Sequence, residues 1–254
     1  MKLGVVGKGG VGKTTVAALL AGAYARAGRR VVAIDTDSNP NLGLSLGLDL
    51  AEVDAVPTLP RSVIVGARGD LTVSEVVGRY GRSTPADVTL LSAIRVSPAG
   101  GGCTCAGHAS VRSLLGEALD AEADVAVIDM EAGLEHLSRS GGTLAHADVL
   151  LVVMEPSRKS VITAARTLTL AEELGIPRAL GVGNKAHDEG DVEFLRRASA
   201  DHGIPLAAVV PYAAEVVDAD RSGAGLTAAH ATVHRALDAV MAAVDEALRP
   251  AATA

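Results

Sequence analysis

At 254 residues the chain is long enough for one large α/β domain, and no shift in composition marks a second. Its 23 Lys and Arg against 30 Asp and Glu leave a net charge of −7, which argues against the basic patches that non-specific contact with nucleic acid or an anionic membrane requires. The absence of Trp, with one Phe and three Tyr, removes any aromatic platform for stacking single-stranded bases.

In chain order, the apolar run Leu3–Val6 predicts a buried strand. It breaks into Gly7-Lys8-Gly9-Gly10-Val11-Gly12-Lys13-Thr14-Thr15 and passes into a helical pattern over Lys13–Ala27. Further strands are predicted at Arg30–Asp35, Val88–Ala93, Asp124–Asp129, Val149–Met154, Ala179–Gly183 and Ala207–Val210. Helices are predicted at Val73–Tyr80, Val111–Asp120, Ser160–Leu174, Val192–Asp201, Ala213–Arg221 and Thr227–Leu248, with Gly28, Gly175 and Gly203 closing three of them. Short β runs alternating with helices predict an α/β fold, a mainly parallel sheet flanked by helices on both faces, in a single domain over residues 1–254. Asp49–Thr72 reads poorly, with Pro57, Pro60 and a possible strand at Val63–Val65, and the tail after Pro250 is expected to fray. With no run of eighteen apolar residues and no charged-then-apolar leader, the expected compartment is the cytoplasm.

Gly7-x4-Gly12-Lys13-Thr14, between a strand and a helix, is a full P-loop. Its glycines let backbone N–H groups from Gly9, Gly10, Val11, Gly12, Lys13, Thr14 and Thr15 close on phosphate oxygens. Lys13 brings a point charge to the β- and γ-phosphates, the Thr14 hydroxyl suits Mg²⁺, and the helix start favours the same anion. Lys8 is a second cation inside the loop. With it, the segment Lys8–Thr14 resembles the deviant Walker A motif of the MinD, ParA and nitrogenase-iron-protein group of dimeric ATPases. That resemblance implies a MinD-like fold in which Lys8 reaches the partner subunit's phosphates across a nucleotide sandwich.

Strand two ends in Asp35-Thr36-Asp37-Ser38, and C-terminal strand ends of a parallel sheet gather beside the P-loop. Asp37 occupies the position of the switch I aspartate of the MinD-like group, which implies that it orients the attacking water; Asp35 is assigned to the Mg²⁺ shell. Asp124–Asp129 is a Walker B pattern whose last residue can hold Mg²⁺. The chain continues Met130-Glu131-Ala132-Gly133, where Glu131 is charged and the family resemblance implies a small residue. Gly183-Asn184-Lys185 lacks the carboxylate that Asn-Lys-x-Asp would place at position 187, which is His187. ATP is therefore expected over GTP, with Asn184 toward the adenine amino edge. Pro211 and Tyr212 either flank the base or form a plain turn.

The distinguishing segment is Gly100-Gly101-Gly102-Cys103-Thr104-Cys105-Ala106-Gly107-His108. Two thiols at i and i+2 can chelate one soft ion, Zn²⁺ or Ni²⁺, but each favours about four donors. Either His108 and a fourth group complete the shell, or two chains contribute four sulfurs on a two-fold axis. Here the chain resembles the CooC-type ATPases that support nickel insertion into carbon monoxide dehydrogenase. The likeness rests on the P-loop, the Cys103-Thr104-Cys105 loop, Val127-Ile128-Asp129-Met130 leading into Ala132-Gly133-Leu134-Glu135-His136-Leu137-Ser138-Arg139, and the segments Val153-Met154-Glu155-Pro156 and Val210-Pro211-Tyr212. It implies a homodimer induced by ATP and metal, with nickel or zinc between paired Cys103 and Cys105, serving a client apo metalloenzyme. Two other functions compete: a spatial-organisation ATPase of the MinD/ParA type, and an iron–sulfur electron-transfer ATPase. Against the first, Val233–Leu248 is not basic; against the second, Asp129–Gly133 lacks a cysteine.

Overall fold

Strand and helix assignments come from a computed structural model that describes residues 1–60, 71–93, 111–112, 114–115, 122–132, 144, 146–226 and 231–250. Its strands are β1 (Lys2–Gly7), β2 (Val31–Asp35), β3 (Arg82–Ser83), β4 (Thr89–Ser92), β5 (Val125–Asp129), β6 (Val149–Met154), β7 (Ala179–Ala186) and β8 (Leu206–Pro211). They form one sheet in the order β3-β4-β2-β5-β1-β6-β7-β8. Every pairing is parallel except β3 with β4. The expected mainly parallel α/β sheet is what forms. Because β5, β1 and β6 are central, their C-terminal ends, the start of the P-loop included, lie side by side.

The helices are α1 (Lys13–Arg26), α2 (Leu42–Ser45), α3 (Leu50–Ala55), α4 (Val73–Tyr80), α5 (Arg158–Glu173), α6 (Glu189–Asp201), α7 (Ala214–Ser222) and α8 (Ala231–Leu248). Alternate strand residues feed two cores. Val31, Ala33, Val125, Val127, Val149 and Leu151 pack with Leu20 of α1 and with Val233, Leu237, Val240 and Val244 of α8. Val32, Ile34, Ala126, Ile128, Leu150 and Val152 face the other way, onto Val161 and Ala164 of α5 and Leu195 of α6. Covering both faces explains why these strands read as continuous apolar runs rather than alternating ones. Each buried Leu, Ile or Val side chain stabilises the fold by roughly 1.5–3 kcal/mol, so the strand ends rest on a stiff platform.

Three elements depart from the sequence reading. β3 is a two-residue antiparallel edge strand, too short to carry a periodic signal. α2 is a single turn, and α3 begins inside the poorly legible segment. A local signal for α3 does exist: the Asp49 side chain accepts from the Glu52 amide while Glu52 reaches back to the Asp49 amide, a capping box. Of the predicted helix Val111–Asp120, residues 111–112 and 114–115 are helical and the rest lies outside the described residues, as do Val63–Val65 and the tail after Pro250.

Candidate nucleotide site

The turn from β1 into α1 is made by glycine because nothing else fits. At Gly7 a Cβ would run into the Val153 carbonyl of neighbouring β6. Gly12 caps α1 in the left-handed region, φ 91°, and a Cβ there would strike the Asn184 amide. The loop is thereby pressed between β6 and the end of β7. Lys13, the first residue of α1, is only 8% exposed. Burial lowers its pKa, opposed by the carboxylates of Asp129, Asp37 and Glu131. Lys8 lies half-buried in the loop and, among the described residues, makes no ion pair.

Opposite Lys13 the ends of β2 and β5 run in register, Asp35 beside Asp129. Both carboxyls are about 1% exposed. Burial pushes Asp129 up to about 7, helped by the neighbouring Asp35 charge and opposed by a hydrogen bond from Thr14 and by Lys13. Asp35 is pushed up to about 6 by the same burial. The two acids are used differently. Asp35 accepts from the backbone amides of Asp37 and Leu42, both at 3.0 Å, and so folds the loop between β2 and α2 around itself. One oxygen of Asp129 is buried with no hydrogen-bond partner.

An orphaned buried carboxylate oxygen beside a threonine hydroxyl is a hard-oxygen donor set that fits Mg²⁺, an ion that takes one or two carboxylates and completes its shell with water and substrate phosphate. Thr14 and Asp129 are the residues that can hold it. Asp35 lies next to them, at the paired end of β2. Two further contacts tie the ends of β2 and β5 together, and a third folds the Asp37 turn on itself. The Thr36 hydroxyl donates to the Asp129 carbonyl at 2.8 Å, the Asp37 carboxylate accepts from the Asn39 amide at 2.8 Å, and the Ser38 hydroxyl donates to Glu131 at 3.0 Å.

The far end of the site is built from β7 and β8. Asn184, 5% exposed, donates its side-chain amide to the Val11 carbonyl at 2.8 Å. Lys185 adopts the left-handed region, φ 61°, and its ammonium bonds the Gly10 carbonyl at 2.6 Å. The pair braces the P-loop from behind. Asn184 thus has a partner in the loop itself besides any contact with a base. Lys185 carries a role that the sequence reading did not assign, although the Asn-Lys pair after a strand was its visible signal. Thr15, Leu19, Asn184, Lys185, Pro211 and Tyr212 are among the residues that line a small, mostly apolar hollow of about 110 Å³. Tyr212 stacks on His187, ring centroids 4.4 Å apart and 22° between planes.

The structure therefore brings together Lys13, Thr14, Asp35, Asp37 and Asp129, while Asn184, Pro211 and Tyr212 line a hollow together with Thr15. Cys103, Cys105, His108 and Gly133 lie outside the described residues. Among the described residues no cluster of three or more His, Cys, Asp or Glu has the geometry of a metal site, and no helix is long and apolar enough to cross a membrane.

Residues 5–226 match the CobQ/CobB/MinD/ParA nucleotide binding domain. The chain is 36% identical to the carbon monoxide dehydrogenase accessory protein CooC of Rhodospirillum rubrum over 265 residues, covering 98% of each chain. It is 33% identical to an uncharacterized ATP-binding protein of Methanocaldococcus jannaschii, covering 88% of this chain and 90% of that one. Among solved structures, the septum site-determining protein MinD of Pyrococcus horikoshii, complexed with Mg-ADP, superposes with a TM-score of 0.73 at 23% identity over 96% of this chain and 95% of that one. A ParA family ATPase from Chlorobium tepidum gives 0.68 at 21% identity over 98% and 99%. At these identities the structural likeness establishes the fold.

Proposed function

The chain belongs to the CobQ/CobB/MinD/ParA nucleotide-binding family and is an ATPase of that family, and on that premise we propose that it delivers a metal ion, nickel or zinc, to an apo metalloenzyme such as carbon monoxide dehydrogenase. In this reading the triphosphate lies along the amides of Gly9–Thr15 with Lys13 on its β- and γ-oxygens. Lys8, half-buried and without an ion pair among the described residues, crosses to the phosphates of a second copy. Thr14 and Asp129 hold Mg²⁺, with Asp35 beside them; when bound, the ion neutralises charge on the departing phosphates. Asp37 aligns the attacking water. Asn184, Pro211 and Tyr212 meet the adenine.

The cargo is held outside this centre. ATP closes two subunits, Cys103 and Cys105 of both converge, and four thiolates bind one ion; hydrolysis opens the pair and releases it. The observation that carries this reading is the Cys103-Thr104-Cys105 pair in a chain whose likeness to an accessory protein of carbon monoxide dehydrogenase extends over 98% of both sequences. Gel filtration of the full chain with and without ATP and Ni²⁺ or Zn²⁺, followed by metal analysis of the dimer peak, tests it. The doubly substituted Cys103→Ser/Cys105→Ser protein should hydrolyse ATP yet lose the retained metal. Unchanged retention would refute the cargo site. A membrane-bound or DNA-bound role draws no support from α8, whose exposed positions include Asp238, Asp245 and Glu246 against Arg235.

A further inference from the structure

Three segments meet at the mouth of the nucleotide site, and each leaves a different strand. They are the P-loop after β1, the Asp37-Ser38 turn after β2 and the Glu131-Ala132 turn after β5. The P-loop meets the β5 turn where Gly9 faces Ala132: a Cβ on Gly9 would lie 3.7 Å from that of Ala132. The β2 and β5 turns meet through the 3.0 Å hydrogen bond from the Ser38 hydroxyl to Glu131. Asp37 sits between two fixed points. Its own amide is held by Asp35 at 3.0 Å, and the next residue is held by Glu131.

We propose that Glu131 is a positioning residue for hydrolysis, acting through its hydrogen bond with Ser38 to fix the Asp37 turn against the β5 turn and the P-loop. Glu131 touches no reacting atom in this role; it removes freedom from the residue that does. A misplacement of about 1 Å in a group that aligns water is enough to slow a reaction by a large factor. In this role the carboxylate acts as a hydrogen-bond acceptor of the right length for Ser38. This assignment rests on the family's ATPase activity and on the role proposed above for Asp37, and not on the cargo, so a failed metal-retention test leaves it standing.

Steady-state ATP hydrolysis by the full chain at saturating Mg-ATP, with thermal denaturation alongside, tests it. Ser38→Ala and Glu131→Ala should each lower kcat about tenfold, with KM within about twofold. The double variant should fall no further than the slower single one, because both remove the same bond. Glu131→Gln keeps an oxygen that can accept from Ser38 and should hold kcat within about threefold of the unsubstituted protein. Melting temperatures should stay within about 2 °C. Additive losses in the double variant, a Glu131→Gln protein as slow as Glu131→Ala, unchanged kcat in the single variants, or kcat losses that follow a fall in melting temperature would each overturn the assignment.

Discussion

The two ends of the nucleotide site are built on opposite plans. The phosphate end is buried and charged, with Lys13, Asp35 and Asp129 all less than a tenth exposed. Its atoms are held by backbone amides, by Thr14 and Thr36, and by glycines where any side chain would collide. The base end is a small, mostly apolar hollow, and one of the residues that line it, Tyr212, is 45% exposed. A buried charge carries a desolvation cost that only a matching charge or a bound ion offsets, so the phosphate end is poised for a triphosphate with its cation. A small, mostly apolar hollow offers a base modest contact area and few polar groups for discrimination. The contrast places binding energy and chemistry at one end and leaves the other to steer orientation.

The strongest way to break this contrast is to remove the buried cation. Lys13→Ala leaves Asp129, Asp37 and Glu131, each of which raises the lysine's pKa through its charge, without that counter-charge. It also deletes the main positive charge available to the phosphates. Hydrolysis should fall by about 10²–10³, the scale seen when one preorganised electrostatic contact is lost, and fluorescent ATP-analogue titration should show binding lost with it. Retention of more than a tenth of the activity would mean that phosphate affinity is spread more evenly than burial indicates.

The strand–loop–helix geometry of the phosphate end was legible in the sequence, and the physical reason is locality. A strand, four glycines, a lysine and a threonine are contiguous, and each constraint acts within a few residues. Asp35 and Asp129 were found because a parallel sheet lines up its strand ends. What stayed hidden depends on long-range contact: Lys185 reaching Gly10 and Ser38 reaching Glu131 join residues 175 and 93 positions apart. No periodicity encodes such pairs. The fold followed the same rule, since eight-residue α4 matched its predicted bounds while two-residue β3 and four-residue α2 were invisible to any repeat.

The pH dependence of stability sharpens the contrast from another side. In the nucleotide-free protein burial pushes Asp35 up to about 6 and Asp129 up to about 7, from an ordinary value of 3.8. Between about pH 4 and 7 the folded state therefore binds protons that the unfolded chain has released. Because νN exceeds νU there, the unfolding free energy decreases as pH rises through that window. Urea denaturation in the absence of nucleotide and Mg²⁺ should show stability higher at pH 5.5 than at pH 8 by an amount on the order of 1–2 kcal/mol. Added Mg²⁺ and ADP should erase the trend, since a cation favours the charged carboxylates. A nucleotide-free protein that gains stability from pH 5.5 to 8 would mean that these acids are better solvated than their burial implies.

The smallest effect belongs to the base end, and its smallness is the test. Tyr212→Ala removes one wall of the hollow and the ring stacked on His187, a contact worth about 0.5–1 kcal/mol at an exposed site. KM for ATP should rise about threefold with kcat unchanged, since a group that contacts substrate and transition state equally changes binding alone. The ratio of ATP to GTP turnover should move by less than about tenfold, because Asn184 and the missing carboxylate at His187 survive the substitution. A collapse of kcat would show that the ring acts on the chemistry through β8 and the Tyr212 amide bonded to the Ala186 carbonyl. The two ends would then be mechanically one, and the division of labour argued from burial would be wrong.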